Sequence, residues 1–95
     1  MYSYKYHPKI KNDLKKIDIS TQKEFINIHR PKIVENPNIA ELLTGDLNEI
    51  HSYHFKKNKV EYRVCYIVDQ KSNTIYFIMI GKRESFYESL KRRLS

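Results

Sequence analysis

Ninety-five residues make one domain, 1–95, with a core too small to close two lobes around a substrate, so any chemistry must sit on an open face or groove. Eighteen lysines and arginines against eleven acidic residues give a net charge of +7, which favours a polyanionic partner, while eight tyrosines, four phenylalanines and a 40% hydrophobic fraction exclude a disordered chain. The lone Cys65 excludes an intrachain disulfide and a multi-cysteine zinc site, and the two isolated glycines, Gly45 and Gly81, leave no phosphate-cradling loop.

Tyr2, Tyr4 and Tyr6 alternate with Ser3 and Lys5, which predicts a short half-buried strand. After Pro8, Ile10, Leu14 and Ile17 form one stripe with Lys9, Lys11, Lys15 and Lys16 off it, a short amphipathic helix with a basic outer face that ends at Asp18 or Ser20. The spacing of Thr21 to Glu24 fits a capping box for a second helix, with Phe25, Ile28 or His29, and Ile33 turned inward and a kink or break expected at Pro31. Asn36-Pro37-Asn38 marks a turn. Ile39 to Thr44, closed by Gly45, reads as a short helical turn.

From Glu49 the period becomes two. Ile50 to Lys56, Val60 to Asp69 and Thr74 to Gly81 are three strands joined by short turns, hence an antiparallel meander. Val60, Tyr62, Val64, Tyr66 and Val68 form the expected core face of the middle strand, with Arg63 on the other face. Ser85 and Glu88 again have capping-box spacing, before a short helix with Phe86, Leu90 and Leu94 inward and Lys91, Arg92 and Arg93 outward. The expected architecture is α+β: an N-terminal strand and helical hairpin packed on a small antiparallel meander, with a short C-terminal helix. The longest apolar run, Ile75 to Ile80, has six residues against roughly 18 for a bilayer span, and the N-terminus has no apolar leader. No membrane partner is expected, and the cytoplasm is the expected compartment.

On this reading Ser52, His54, Lys56 and Arg63 point from adjacent strands to one side, Arg83 leaves the third strand nearby, and Tyr87 follows four residues later. Cations hold phosphate oxygens, histidine moves protons near neutral pH, and tyrosine stacks on bases or donates a hydrogen bond. The set suits metal-free RNA cleavage through attack by the ribose 2′-OH. His51 and His54 lie on opposite faces, against a two-histidine metal site, and no metal or other cofactor is expected.

The run Glu61-Tyr-Arg-Val-Cys-Tyr-Ile-Val-Asp69, the segment Ile75 to Glu84 with its Gly81-Lys82-Arg83-Glu84, and Phe86-Tyr87-Glu88 resemble the RelE/ParE superfamily of bacterial toxins, specifically its RelE-like mRNA endonuclease branch. The resemblance implies a RelE-like microbial RNase fold, metal-independent cleavage of mRNA in the ribosomal A site, and neutralisation by a cognate antitoxin. It also implies that Arg63 holds the scissile phosphate and that Arg83 stabilises the transition state or protonates the leaving group. Tyr87 stands near the family's C-terminal tyrosine, two residues closer to Arg83 than in the best-known pattern. Where that pattern has two lysines, this chain has Ser52 and His54. His54 is therefore assigned as general base, with Glu49 and His51 as the next candidates, and Ser52, Lys56 and Lys82 as RNA-binding residues. Two other readings stand beside this one: a ParE-like toxin that inhibits DNA gyrase without cutting RNA, and a non-catalytic basic RNA-binding domain.

Overall fold

The alternating stretch after Glu49 forms the centre of the molecule, as its periodicity requires. The computed structural model describes residues 2–95. In chain order it contains β1 (Ser3–Tyr6), α1 (Ile10–Lys15), α2 (Ile19–Glu24), a π-helical turn (Phe25–His29) and α3 (Arg30–Glu35). A 3₁₀ turn (Pro37–Ile39), β2 (Glu41–Leu42), a second 3₁₀ turn (Gly45–Leu47), β3 (His51–Lys57), β4 (Val60–Asp69), β5 (Thr74–Lys82) and α4 (Phe86–Leu94) follow. The sheet order is β1-β5-β4-β3-β2. The three long strands are antiparallel, as expected, and β1 joins the β5 edge in parallel.

The helices α1 to α3 cover one face of the sheet, where Ile10, Phe25 and Ile33 pack on Tyr62, Val64 and Phe77. On the other face α4 lays Phe86 and Leu90 over Ile50, Cys65, Ile78 and Met79. Ile78 can reach this second cluster because it is an extra residue in β5: Cys65 pairs with Met79 and Tyr66 with Phe77, which leaves Ile78 unpaired in a bulge.

Five local expectations are corrected. β1 is an exposed edge strand, not a half-buried one, although the Tyr4 and Tyr6 rings lie 5.9 and 5.6 Å from Phe77. The second helix starts one turn before Thr21, because Asp18 is the better cap: its carboxylate accepts from the Thr21 N–H at 3.1 Å and from the Thr21 hydroxyl at 2.7 Å. These bonds hold the Asp18 carboxyl below its usual pKa. Pro31 does not break the helical run, since the turn before it widens to a π-turn in which the Arg30 N–H bonds Phe25 C=O. Pro31 itself then falls in the first turn of α3, where its missing N–H is not needed. The stretch expected as a helical turn from Ile39 instead supplies β2, which pairs Glu41 with Ser52 and Leu42 with His51 on the open edge of β3, and Gly45 at φ +70° opens the next turn rather than closing one. The Ser85–Glu88 box is not formed, because the tight exit from β5 places Ser85 at φ +53° and its hydroxyl makes no cap bond.

Two side-chain placements also differ. Leu94 is exposed. Arg93, expected outward, folds back onto the buried Asp13.

Candidate active site

Pairing of β3 with β4 puts His54 opposite Arg63, Ser52 opposite Cys65 and Lys56 opposite Glu61, so side chains of alternate residues converge on the face that carries α4. Tyr87, in the first turn of α4, meets them from above. Arg63 Nη1 donates to Tyr87 Oη at 2.6 Å and to His54 Nε2 at 3.0 Å, and its guanidinium carbon lies 5.1 Å from the Tyr87 ring centre. Ser52 Oγ is 3.1 Å from His54 Nε2 and 3.4 Å from Tyr87 Oη. Ser52 is buried, Arg63 and Tyr87 are half-buried, and His54 is exposed.

The donors fix the proton positions. A guanidinium can only donate, so His54 Nε2 must carry a lone pair and the ring proton resides on Nδ1. Nε2 has a single lone pair, so the Arg63 N–H and the Ser52 hydroxyl compete for it. Tyr87 Oη accepts from Arg63, and between Ser52 and Tyr87 either hydroxyl can donate, so Ser52 links Tyr87 to His54. Partial burial on the Nε2 side, and then the neighbouring Arg63 charge, lower the His54 pKa from its ordinary 6.5, against an opposing pull from Glu41 and Glu61. The ring is therefore neutral at pH 7. Arg63 Nε is buried and has no hydrogen-bond partner among the described residues.

Four of the seven site residues expected from the sequence, Ser52, His54, Arg63 and Tyr87, are thus in mutual contact. Arg83 is close by but held apart: its Nη1 donates to Glu61 at 2.8 Å in an exposed pair. That hydrogen bond lowers the Glu61 pKa. A pair this exposed is screened by solvent, so Arg83 is easily released. Lys56 borders the depression of about 250 Å³ that His54 and Arg63 also line. Lys82 pairs with Tyr62, whose ring lies in the helix-side core, so the strand alternation puts Lys82 on the face opposite Arg63. It is not in contact with the Ser52–His54–Arg63–Tyr87 cluster, but it lines a neighbouring depression with Lys56, Glu61 and Arg83.

The reserve candidates for the base fare differently. His51 is buried on the helix side, stacked on Tyr66 with its Nδ1 3.1 Å from Ala40 C=O, and is structural. Glu49 is exposed and precedes β3, outside the strand that carries Ser52 and His54. Cys65 is fully buried and its thiol is pushed up to about 12, chiefly by burial, so it is no nucleophile. Among the described residues no three His, Cys, Asp or Glu side chains gather as metal ligands, and no helix is long and apolar enough to cross a membrane. Two groupings escaped sequence reasoning. One is a buried line of Glu24, His29 and Tyr53, with bonds of 2.9 and 2.8 Å. The other is the pair of Asp13 with Arg93. The sequence signal for the first is His29 on an otherwise apolar stripe; the second has no local signal.

The profile of the ParE-like toxin of type II bacterial toxin-antitoxin systems matches residues 4–91. No curated protein sequence matches the chain. Among solved structures it is similar to the toxin-antitoxin complex RelBE2 from Mycobacterium tuberculosis, at 17% identity and a TM-score of 0.76 over 86% of this chain and 98% of that one. It is also similar to a double arginine-to-alanine mutant of E. coli toxin RelE in the free state, at 16% identity and a TM-score of 0.75 over 99% and 98% of the two chains. The archaeal RelE-RelB complex from Pyrococcus horikoshii is a further match, at 22% identity and a TM-score of 0.61 over 87% and 96%. The architecture matches that of RelE, and with the profile spanning nearly the whole chain, the chain belongs to the ParE-like toxins of type II bacterial toxin-antitoxin systems.

Proposed function

We propose that this toxin is an endoribonuclease that cleaves mRNA in the ribosomal A site without a metal, and that a cognate antitoxin neutralises it. The observation that carries this reading is the contact of a histidine with a lowered pKa, two hydroxyls and an arginine on one open face. His54 Nε2 takes the proton of the ribose 2′-OH, and the 2′-oxygen attacks the adjacent phosphorus in line. Arg63 exchanges a bond to its neighbours in the cluster for one to a non-bridging oxygen, and Arg83, freed from Glu61, meets the charge that grows on the phosphorane. Tyr87 gives its proton to the departing 5′-oxygen. The products are a 2′,3′-cyclic phosphate and a 5′-hydroxyl, and the proton on His54 returns to Tyr87 through Ser52. Lys56 lines the path of the RNA backbone, and Lys82, on the opposite face, serves only as an outer contact to RNA.

An open site fits a large, ordered substrate. The two depressions at the site measure about 280 and 250 Å³ and have no enclosing lobe, so the ribosome would present and orient the mRNA. The antitoxin reading is supported by similar structures that are RelE toxins in complex with RelB antitoxins.

Cleavage of mRNA on programmed ribosomes tests this. Wild-type protein should cut, and His54→Ala should slow cutting by roughly 10²–10⁴-fold, the usual worth of general acid–base catalysis; equal rates would remove His54 from the chemistry. The ParE-like description of the matching profile favours one other reading, inhibition of DNA gyrase by protein contact. A supercoiling assay run beside the cleavage assay separates the two.

A further inference from the structure

The strand β1 pairs with β5 only as far as Phe77, so beyond that point the outer edge of β5 has no neighbouring strand. Side chains take its place. The Ile80 N–H donates to Asp13 Oδ2 at 3.2 Å, and Arg93 Nη1 donates to Ile78 C=O at 2.9 Å. Asp13 and Arg93 also grip each other through two bonds, Nη1 to Oδ2 at 2.5 Å and Nη2 to Oδ1 at 2.8 Å, with side-chain exposures of only 7% and 11%. Asp13 stands on α1 and Arg93 in the last turn of α4, so one ion pair ties α1, α4 and the β5 edge together. At the opposite end of α4 Ser85 makes no side-chain cap; the buried Phe86 holds that end to the sheet, and the Asp13–Arg93 pair holds the other. Tyr87 lies six residues before Arg93, roughly 9 Å along the helix axis.

A buried ion pair adds little net stability, because desolvation offsets most of the attraction; its attested use is to select one arrangement over others. Here the arrangement has a polarity. The β5 edge offers an N–H at Ile80 and a C=O at Ile78, which dictates an acid on α1 and a base on α4.

We propose that Asp13 and Arg93 are positioning residues for the active site: by clamping the C-terminal end of α4 to the β5 edge they set the rotation of the helix that presents Tyr87 to Arg63 and Ser52. The inference rests on the reading of that cluster as an RNA-cleaving site. Neither residue touches the substrate, and both act through α4.

The test is a double-mutant cycle in the full chain, read as single-turnover mRNA cleavage on programmed ribosomes together with amide hydrogen exchange. Arg93→Ala should slow cleavage by on the order of a hundredfold, the effect of an ångström-scale displacement, while the half-saturating ribosome concentration moves by less than about threefold. In a Tyr87→Phe background the same substitution should add little, because the group it positions is already disabled. Arg93→Lys, which keeps the charge but not the fork, should fold as wild type and cleave at an intermediate rate. The exchanged pair Asp13→Arg with Arg93→Asp should not rescue, since it sets a cation against the Ile80 N–H. Exchange should quicken in α4 and stay unchanged in β3 to β5 for Arg93→Ala and Arg93→Lys. An equal fold-loss in both Tyr87 backgrounds, or unchanged cleavage in Arg93→Ala, would overturn the proposal. If the wild-type chain cuts no RNA, the active-site reading fails by itself; α4 protection in both Arg93 variants equal to wild type would overturn the clamp independently of any activity.

Discussion

At the scale of single residues, the electrostatics of His54 make the sharpest prediction. Partial burial and the Arg63 charge both disfavour the imidazolium, so the folded ring titrates below 6.5 and the base is lost only as pH falls through that lowered value. The acid limb of a kcat/KM profile should therefore lie below pH 6.5. By NMR titration, Arg63→Gln should move the His54 midpoint upward, since a repelling charge is removed, and Glu41→Gln should move it downward, since an attracting one is. Shifts of the opposite sign would show that other groups control the ring. His54 and Arg63 were legible in the sequence because strand alternation alone puts them on one face. The central place of Ser52 was not, because its position between His54 and Tyr87 depends on a helix that begins more than thirty residues later. The Asp13–Arg93 pair was equally hidden: eighty residues separate the partners, and each reads locally as part of a solvated charged face.

Elements follow the same division between local and distant causes. The strands β3 to β5 came through from periodicity with shifts of a single residue at their ends, since a period of two on a sheet buried on both faces leaves little freedom. The helical half was less legible. Asp18 outcompetes Thr21 as a cap, the π-turn absorbs Pro31, and the free edge of β3 recruits β2 from a stretch whose local pattern is helical. In α4 the difference between two leucines that share a stripe is a matter of length: Leu90 is fully buried against the sheet, while Leu94 lies past its edge and is 43% exposed. Leu90→Ala should therefore cost about 2–5 kcal/mol in urea unfolding, whereas Leu94→Ala should stay within about 0.5 kcal/mol. Similar losses for the two would mean that α4 is not seated as described. Because α4 carries Tyr87, a Leu90 variant that still folds should also cleave more slowly.

For the molecule as a whole, the charge of +7 divides into two parts. Arg63, Arg83 and Lys56 lie at or beside the cluster, while Lys9, Lys11, Lys15 and Lys16 stand exposed on and around α1, away from it. The largest of the described clefts, about 600 Å³ between α1 and α4, shares no residue with the cluster and has the Asp13–Arg93 pair among its walls. Size does not mark the site here; convergent chemistry does. The fold is that of RelE, the matching family profile is ParE-like, and so shape alone does not decide between cutting RNA and binding gyrase. The two readings part at their products, since attack by a 2′-oxygen leaves cut RNA ends that gyrase inhibition cannot. The most direct measurement is cleavage, on programmed ribosomes, of an mRNA carrying a single 2′-deoxynucleotide on the 5′ side of the mapped cut. The ribose form should be cut to a 2′,3′-cyclic phosphate and a 5′-hydroxyl and the deoxy form should remain whole at that position; equal cutting of the two forms, or no cutting of either, would contradict the proposed chemistry.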